Sequence, residues 1–214
     1  MRRAAVLETG EALWEAFFGN PVAARQDAAA VLKLSKHRDL EYGAAFALAL
    51  AGDSSPAAAK ELEKRFPEDT AVKFSYLPVM RAQLALKAKP PDPAKAIELL
   101  QVAAPYELGA PPSSFTGFFG CLYPVYVRGE AYLALHQSAE AAAEFQKILD
   151  HRAIVVSDPI GALAHLQLGR ALALPGGHKI KAEVAYQDFL TLWKDADKQI
   201  PILREARTEF AALP

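Results

Sequence analysis

The chain has 214 residues, is 52% hydrophobic, and sets 24 Lys and Arg against 25 Asp and Glu. That is ample apolar material for the core of one elongated domain, and the balanced charge excludes the basic footprint through which phosphate backbones are bound, so nucleic acid is not the expected main partner. A single cysteine, Cys121, allows no intramolecular disulfide and no zinc site without several neighbouring ligands, which fits a reducing cytoplasm.

In chain order, the first expected helix covers residues 6–18, where Glu8, Glu11 and Glu15 interrupt any signal-like apolar core behind Met1-Arg2-Arg3. Asn20-Pro21 then opens a helix over 21–34: a side-chain oxygen can accept from an orphan amide of the first turn, and proline fills a position whose N–H would have no intrahelical partner. A third helix covers 38–51, with Asp39 as its expected cap, and ends at Gly52-Asp53. Ser55-Pro56 opens 55–65, which stops before Pro67; a helix over 70–88 stops before Pro90-Pro91; Asp92-Pro93 opens 92–103. After a Pro, Gly and Ser-rich connection come helices over 122–136 and 138–151, then 158–174 behind Asp158-Pro159, 178–195 behind Gly176-Gly177, and 201–212. No segment alternates with the period of two that a strand requires, and no apolar run approaches the length that spans a membrane. The expectation is an all-α soluble protein, or the soluble part of a longer one, without membrane insertion.

Internal similarity organises these helices into pairs. Gly129, Tyr132, Ala141 and Phe145 recur as Gly169, Leu172, Ala182 and Tyr186; Ala82, Ala85, Ala96 and Leu100 form a weaker copy, as do Ala45, Leu48, Ala58 and Leu62, and a degenerate copy starts at Ala12. A glycine or alanine on one helix lets the alanine of its partner approach, and the aromatic or leucine fills the space beside it. The repeats lie near 6–34, 38–66, 70–103, 122–151 and 158–195 in a single domain spanning 1–214, with a cap at 201–212. In that last segment Arg204, Glu205, Arg207 and Glu209 supply a polar face that would shield the final pair and leave a monomer.

This order of small, aromatic, alanine and aromatic residues resembles the tetratricopeptide repeat family; the last two copies match best, with Leu168 but Arg128 in the family's leucine position. More narrowly, LEYGAAFALALAGD, FTGFFGCLYPVYVRGEAYL, FQKILDHR, DPIGALAHLQLGRALAL and YQDFLTLWKDAD, within residues 35–212, are similar to the C-terminal helical-repeat region of bacterial eukaryotic-like serine/threonine kinases and related regulators. The resemblance implies a right-handed α-solenoid of about five helix pairs plus a capping helix, acting as an adaptor or sensory region whose kinase domain lies on another part of the chain.

In such a solenoid the first helix of each pair lines a concave groove, and inward positions fall six before, three before and one after the small packing residue. Counting places Asp39, Tyr42 and Phe46, then Tyr76, Val79 and Gln83, then Tyr123, Tyr126 and Glu130, then Leu163, Leu166 and Arg170 on that surface. It is chiefly aromatic and aliphatic. Some proteins of the family grip a C-terminal carboxylate with Lys, Asn and Arg, and only Gln83 and Arg170 would serve such a clamp here. An apolar helix or extended peptide of a protein partner, held by aromatic contacts and oriented by Glu130 and Arg170, is the expected ligand, unless the tyrosines pack on adjacent first helices and leave little groove to fill. The alternative is a small-molecule or lipid sensor using the loop at 105–123, where Phe115, Phe118 and Phe119 exceed what a solvated connection retains, although the first reading of these aromatics is a plug between two repeats.

Catalysis and cofactors are not expected. His37-Arg38-Asp39-Leu40 spells the start of a kinase catalytic loop, but the magnesium-binding Asn position is Ala44, and no glycine-rich loop, strand lysine or Asp-Phe-Gly accompanies it. The five histidines contain no pair at i and i+4, none is in metal-ligand spacing with Cys121, and Ser113-Ser114 lack an orienting His or Asp.

Overall fold

The computed structural model describes residues 2–53, 55–109 and 122–213, and among these every regular element is helical. The helices are α1 (Arg2–Phe18), α2 (Pro21–Leu34), α3 (Arg38–Leu50), α4 (Ala57–Arg65), α5 (Leu77–Leu86), α6 (Pro93–Leu100), α7 (Tyr123–Ala134), α8 (Ser138–Asp150), α9 (Arg152–Val155), α10 (Ile160–Ala173), α11 (Lys179–Leu192) and α12 (Pro201–Ala211). A π-turn over Val72–Tyr76 leads into α5, and a 3-10 turn over Gln101–Ala103 follows α6.

Each of the eleven expected segments is helical, with three differences in detail. The segment expected as one helix over 70–88 is divided, because Pro78 offers no N–H to the preceding turn, which adopts the wider π spacing instead. The short α9 occupies a stretch read as a connection. Proline marks the starts faithfully, but the caps differ in how they act. The Asp92 carboxylate accepts from the Lys95 amide at 2.9 Å, whereas Ser55 and Asp158 accept from the amide two residues on, at 3.3 and 3.1 Å, and Asn20 makes no side-chain cap. Asp39 does not cap α3 as expected. It lies inside the first turn, where it accepts from the Tyr76 hydroxyl at 2.9 Å and from Arg38 at 2.6 Å.

The helices pack in chain order. Hairpin partners meet as α1 with α2, α3 with α4, α5 with α6, α7 with α8, and α10 with α11, and the first helix of each pair also touches the next first helix, α1 on α3, α3 on α5, α5 on α7, α7 on α10. Small residues set the approach. A Cβ on Gly129 would lie 2.6 Å from Phe145, and one on Gly169 2.7 Å from Tyr186, so each glycine is the seat of the aromatic on its partner helix. In the α5 and α6 pair Ala82, Ala96 and Leu100 are fully buried in the same roles. The α3 and α4 pair departs by one residue: Ala59 is the buried alanine, while Ala58 is only partly covered.

The row of pairs returns on itself. α1 touches α12, Phe18 packs edge-on against Trp193 at 4.9 Å, and the turn at Gly19 sits against Pro201. α12 buries Leu203 and Ala206 and binds back through Glu209, whose carboxylate takes a two-pronged hydrogen bond from Arg170, at 2.8 and 2.9 Å, and one from the Tyr186 hydroxyl at 2.9 Å. That pairing holds the Glu209 carboxylate below its ordinary pKa despite the burial that opposes its charge.

Because the glycine seats leave no room for a side chain, Gly129→Leu should force Phe145 from its site and destabilise the chain by about 1–3 kcal/mol or more, a loss of several degrees in melting temperature. An unchanged melting temperature would mean that α7 and α8 do not meet through this glycine.

Candidate functional site

The inner face predicted as a binding groove is largely interior. Tyr42, Phe46, Tyr76, Gln83, Tyr123, Tyr126 and Leu166 are all buried, each with 3% or less of its surface exposed. Their occupant is a residue of the same chain. Phe17, at the end of α1, lies 6.0 Å from the ring of Phe46, 5.7 Å from Tyr123 and 5.6 Å from Tyr126, and Tyr42 stacks on Tyr76 at 3.8 Å beside them. The phenolic groups are used internally as well: the Tyr123 hydroxyl donates to Asp158 at 2.8 Å, and the Tyr126 hydroxyl accepts from Gln167 at 3.0 Å. Burial raises the Tyr126 pKa well above its ordinary value, with a contribution from Glu130. Phe115, Phe118 and Phe119 lie outside the described residues. Tyr106, at the root of that segment, is stacked on Phe74 at 4.6 Å.

Arg128, which stands where the repeat pattern places leucine, joins the same region through charge. Its guanidinium donates to Glu144 at 2.6 and 2.8 Å and to Glu107 at 2.9 Å, and Lys147 reaches Glu107 at 2.6 Å. Burial works against the Arg128 charge, but Glu144 and Glu107 outweigh it and hold its pKa above the ordinary value. The network ties α7 and α8 to the chain that follows α6. Nothing in the repeat pattern announced it except the departure at Arg128 itself.

Two of the predicted inward residues keep contact with solvent, Glu130 and Arg170. Arg170 is committed to Glu209. Glu130 has no hydrogen bond or ion pair among the described residues, and protein surrounds its carboxyl closely enough that burial pushes its pKa up to about 7, against the fields of Lys87 and Arg170.

The open surface lies elsewhere. α8 and α11 both pack on α10, and between them runs a groove of about 1010 Å3. Leu168 and Leu172 of α10 form its floor, and Ile180, Val184 and Leu192 stand along one wall with 67%, 51% and 60% of their surface exposed. At the end near α9 the lining turns polar, with Asp150, Arg152, His165 and Asp188. His165 faces Asp188 at 3.6 Å, yet burial keeps its pKa below the ordinary value. A second concavity of about 520 Å3 shares Arg152, His165 and Leu192 and continues to Trp14, Val156 and Trp193. Val156 stands at 77% exposure with φ of 53°, a backbone conformation that costs a β-branched residue on the order of 1–3 kcal/mol. A third pocket, of about 350 Å3, opens between α3 and α4 around Leu48, Leu62 and Met80. Sequence reasoning missed the outer groove because its walls are second helices, α8 and α11, where the exposed residues of α11 recur every four positions as an ordinary amphipathic pattern.

Among the described residues no group of three or more His, Cys, Asp or Glu converges to hold a metal ion, and no helix is long and apolar enough to cross a membrane.

The raised pKa of Glu130 has a signed consequence. Below its ordinary value of 4.5 the carboxyl is protonated in folded and unfolded chains alike; between pH 4.5 and 7 the unfolded chain loses the proton while the folded chain keeps it, so stability falls as pH rises through this window. Glu130→Gln should therefore stabilise the protein by about 1–3 kcal/mol at pH 8 and leave it unchanged near pH 4. Denaturant titrations of both chains at the two pH values check this, and a parallel offset at both would refute it. Comparison with family models, with curated proteins and with solved structures finds no match to this chain.

Proposed function

We propose that this protein is a non-catalytic interaction scaffold that receives an amphipathic helix of a protein partner in the outer groove between α8 and α11. The observation that carries the reading is the row Ile180, Val184 and Leu192, three large apolar side chains exposed along one wall of a concavity whose floor is also apolar. α11 is 14 residues long, about 21 Å at 1.5 Å per residue, which matches about four turns of a ligand helix. Helix-in-groove recognition needs this geometry: apolar anchors at i, i+3 or i+4 and i+7 enter the groove, while polar groups at its end fix direction. Asp150 and Asp188 at the α9 end favour a partner helix carrying Lys or Arg on that side, with Arg152 limiting the net charge.

The inner aromatic face is a weaker candidate for the same role, because a partner entering there has to replace Phe17. The tetratricopeptide-like pairing and the resemblance to repeat regions of bacterial kinases and regulators support an adaptor or sensory role within such a system. On this reading the chain is a curved solenoid, monomeric by itself in a reducing cytoplasm, with α12 closing its last pair.

Selection of a displayed library of amphipathic helices on the full chain tests the proposal. Binders should carry the three-to-four apolar spacing, and Val184→Arg or Leu192→Arg should weaken them more than tenfold, about 1.4 kcal/mol, with the helical circular dichroism unchanged. Binders that hold these variants as tightly as the parent chain, but are lost on Phe118→Ala, would move recognition to the segment before α7.

A further inference from the structure

We propose that the recess where α1, α9, α10 and the end of α11 meet is a binding site for an aromatic carboxylate, its ring received against Trp14, Trp193 and Val156 and its charge by Arg152. The proposal stands whether or not a helix occupies the outer groove.

The recess holds about 520 Å3, within the range of small-molecule sites, and like them it is lined mainly by apolar side chains with a few polar groups. Trp14 and Phe18 reach it from α1, Trp193 from the residue after α11, and Val156 from the turn after α9. Trp193 is held edge-on by Phe18 at 4.9 Å and by Phe189 at 5.0 Å, so one aromatic wall is fixed before any ligand arrives. Beside that wall Trp14 leaves 38% of its surface exposed and Val156 77%.

The backbone holds Val156 there against its own preference. Val155 is buried against Gly161, on which a Cβ would lie 2.9 Å from the valine side chain. The Val156 amide donates to the Arg152 carbonyl at 2.9 Å, and the Asp158 amide to the Val155 carbonyl at 3.0 Å. These contacts turn the chain at Val156 to a φ of 53°, where glycine is relaxed and a β-branched residue is strained. The exposed valine gains no burial in return. Strain of this kind, held by the surrounding structure, concentrates at ligand clamps and switch regions.

Charge selects the ligand. Among the described residues, Arg152, Asp158 and His165 are the charged or titratable side chains that line the recess. Asp158 is 5% exposed and already receives the Tyr123 hydroxyl at 2.8 Å and the Ile160 amide at 3.1 Å. His165 faces Asp188 at 3.6 Å, and burial keeps its pKa below the ordinary value, so its ring is neutral near pH 7. Arg152 is exposed, its side chain makes no hydrogen bond or ion pair among the described residues, and its field reaches His165. An unpaired guanidinium offers a planar fork of donors that matches a carboxylate through two parallel hydrogen bonds, and the adjoining tryptophans suit a flat ring. Tryptophan faces attract cations too, but the Arg152 charge opposes one here.

Both tryptophans of the chain line the recess, so their fluorescence reports on it directly. The full chain is titrated with phenylbutyrate, phenylbutylamine and phenylbutanol, which share a ring and a tail and differ in the head group. Phenylbutyrate should shift the emission of Trp14→Phe and of Trp193→Phe alike, each of which keeps one reporter, and should bind the parent chain about tenfold more tightly than the amine does. Arg152→Gln should remove that preference and leave the binding of the alcohol unchanged, while Arg152→Lys restores part of it. Val156→Gly should not lower the melting temperature, since it relaxes the turn, yet should weaken phenylbutyrate several-fold. A capped peptide ending in phenylalanine separates the two sources of this chemistry: tighter binding than phenylbutyrate assigns the recess to a chain terminus, and weaker binding assigns it to a free small acid. No emission change in either single-tryptophan variant at about 20 mM phenylbutyrate, equal affinity for the amine, or an undiminished carboxylate preference in Arg152→Gln would overturn the proposal.

Discussion

The structure turns on the placement of Phe17. Its ring meets Phe46 of α3 and Tyr123 and Tyr126 of α7, so one side chain from the first helix joins residues more than a hundred positions away in sequence. Each fully buried aromatic of this size contributes about 2–3 kcal/mol, and three edge or tilted ring contacts add to that figure. The consequence is geometric as much as energetic. With Phe17 seated, Phe18 reaches Trp193 and Gly19 reaches Pro201, so the first pair of helices is held against the last elements of the chain. A row of hairpins that would otherwise present an open inner surface uses its aromatic residues to hold itself closed.

The helices and their pairing were legible in the sequence because they depend on local chemistry. Proline after Asn20, Ser55, Asp92 and Asp158 marks where helices begin whether or not the preceding side chain caps, since the missing N–H and the fixed φ act without a partner. Gly129 opposite Phe145 and Gly169 opposite Tyr186 could be read as pairs because a seat and its occupant recur at fixed spacing. The closure was not legible. Val6, Leu13 and Phe17 share one edge of a broad apolar face of α1 and Leu7, Trp14 and Phe18 the other, so periodicity could not say that the first edge would be the buried one while Leu7 and Trp14 stay exposed. Of the positions counted as inward, Tyr42, Tyr76, Tyr123 and Tyr126 are buried while Glu130 and Arg170 keep contact with solvent, and what the sequence could not show is that Phe17 of α1 packs among them. The polar groups were legible only as exceptions: Arg128 in a leucine position, and Gln83 and Glu130 among aromatic neighbours.

Those exceptions divide by whether they are satisfied. Arg128 is buried with two carboxylates and a lysine close by, an arrangement that fixes how α7 and α8 receive the preceding segment. Gln83 and Glu130 have no such compensation. At the corresponding position of α3 the core has Phe46, where α5 buries Gln83. The completed network and the uncompensated carboxyl thus stand two residues apart on α7, at Arg128 and Glu130. Ile180, Val184 and Leu192 of α11 leave half or more of their apolar surface in water beside an apolar floor, and that exposed part contributes nothing to the folded state.

The measurement that bears most directly on this account is the stability of Phe17→Ala by equilibrium denaturation. If Phe17 closes the inner aromatic face, truncation removes a buried ring from a packed site and should cost about 3–5 kcal/mol, with Tyr123 and Tyr126 becoming reactive to iodination. If that face is instead an open groove in solution, Phe17 lies at its surface, the substitution costs under about 1 kcal/mol, and the tyrosines react as readily in the parent chain.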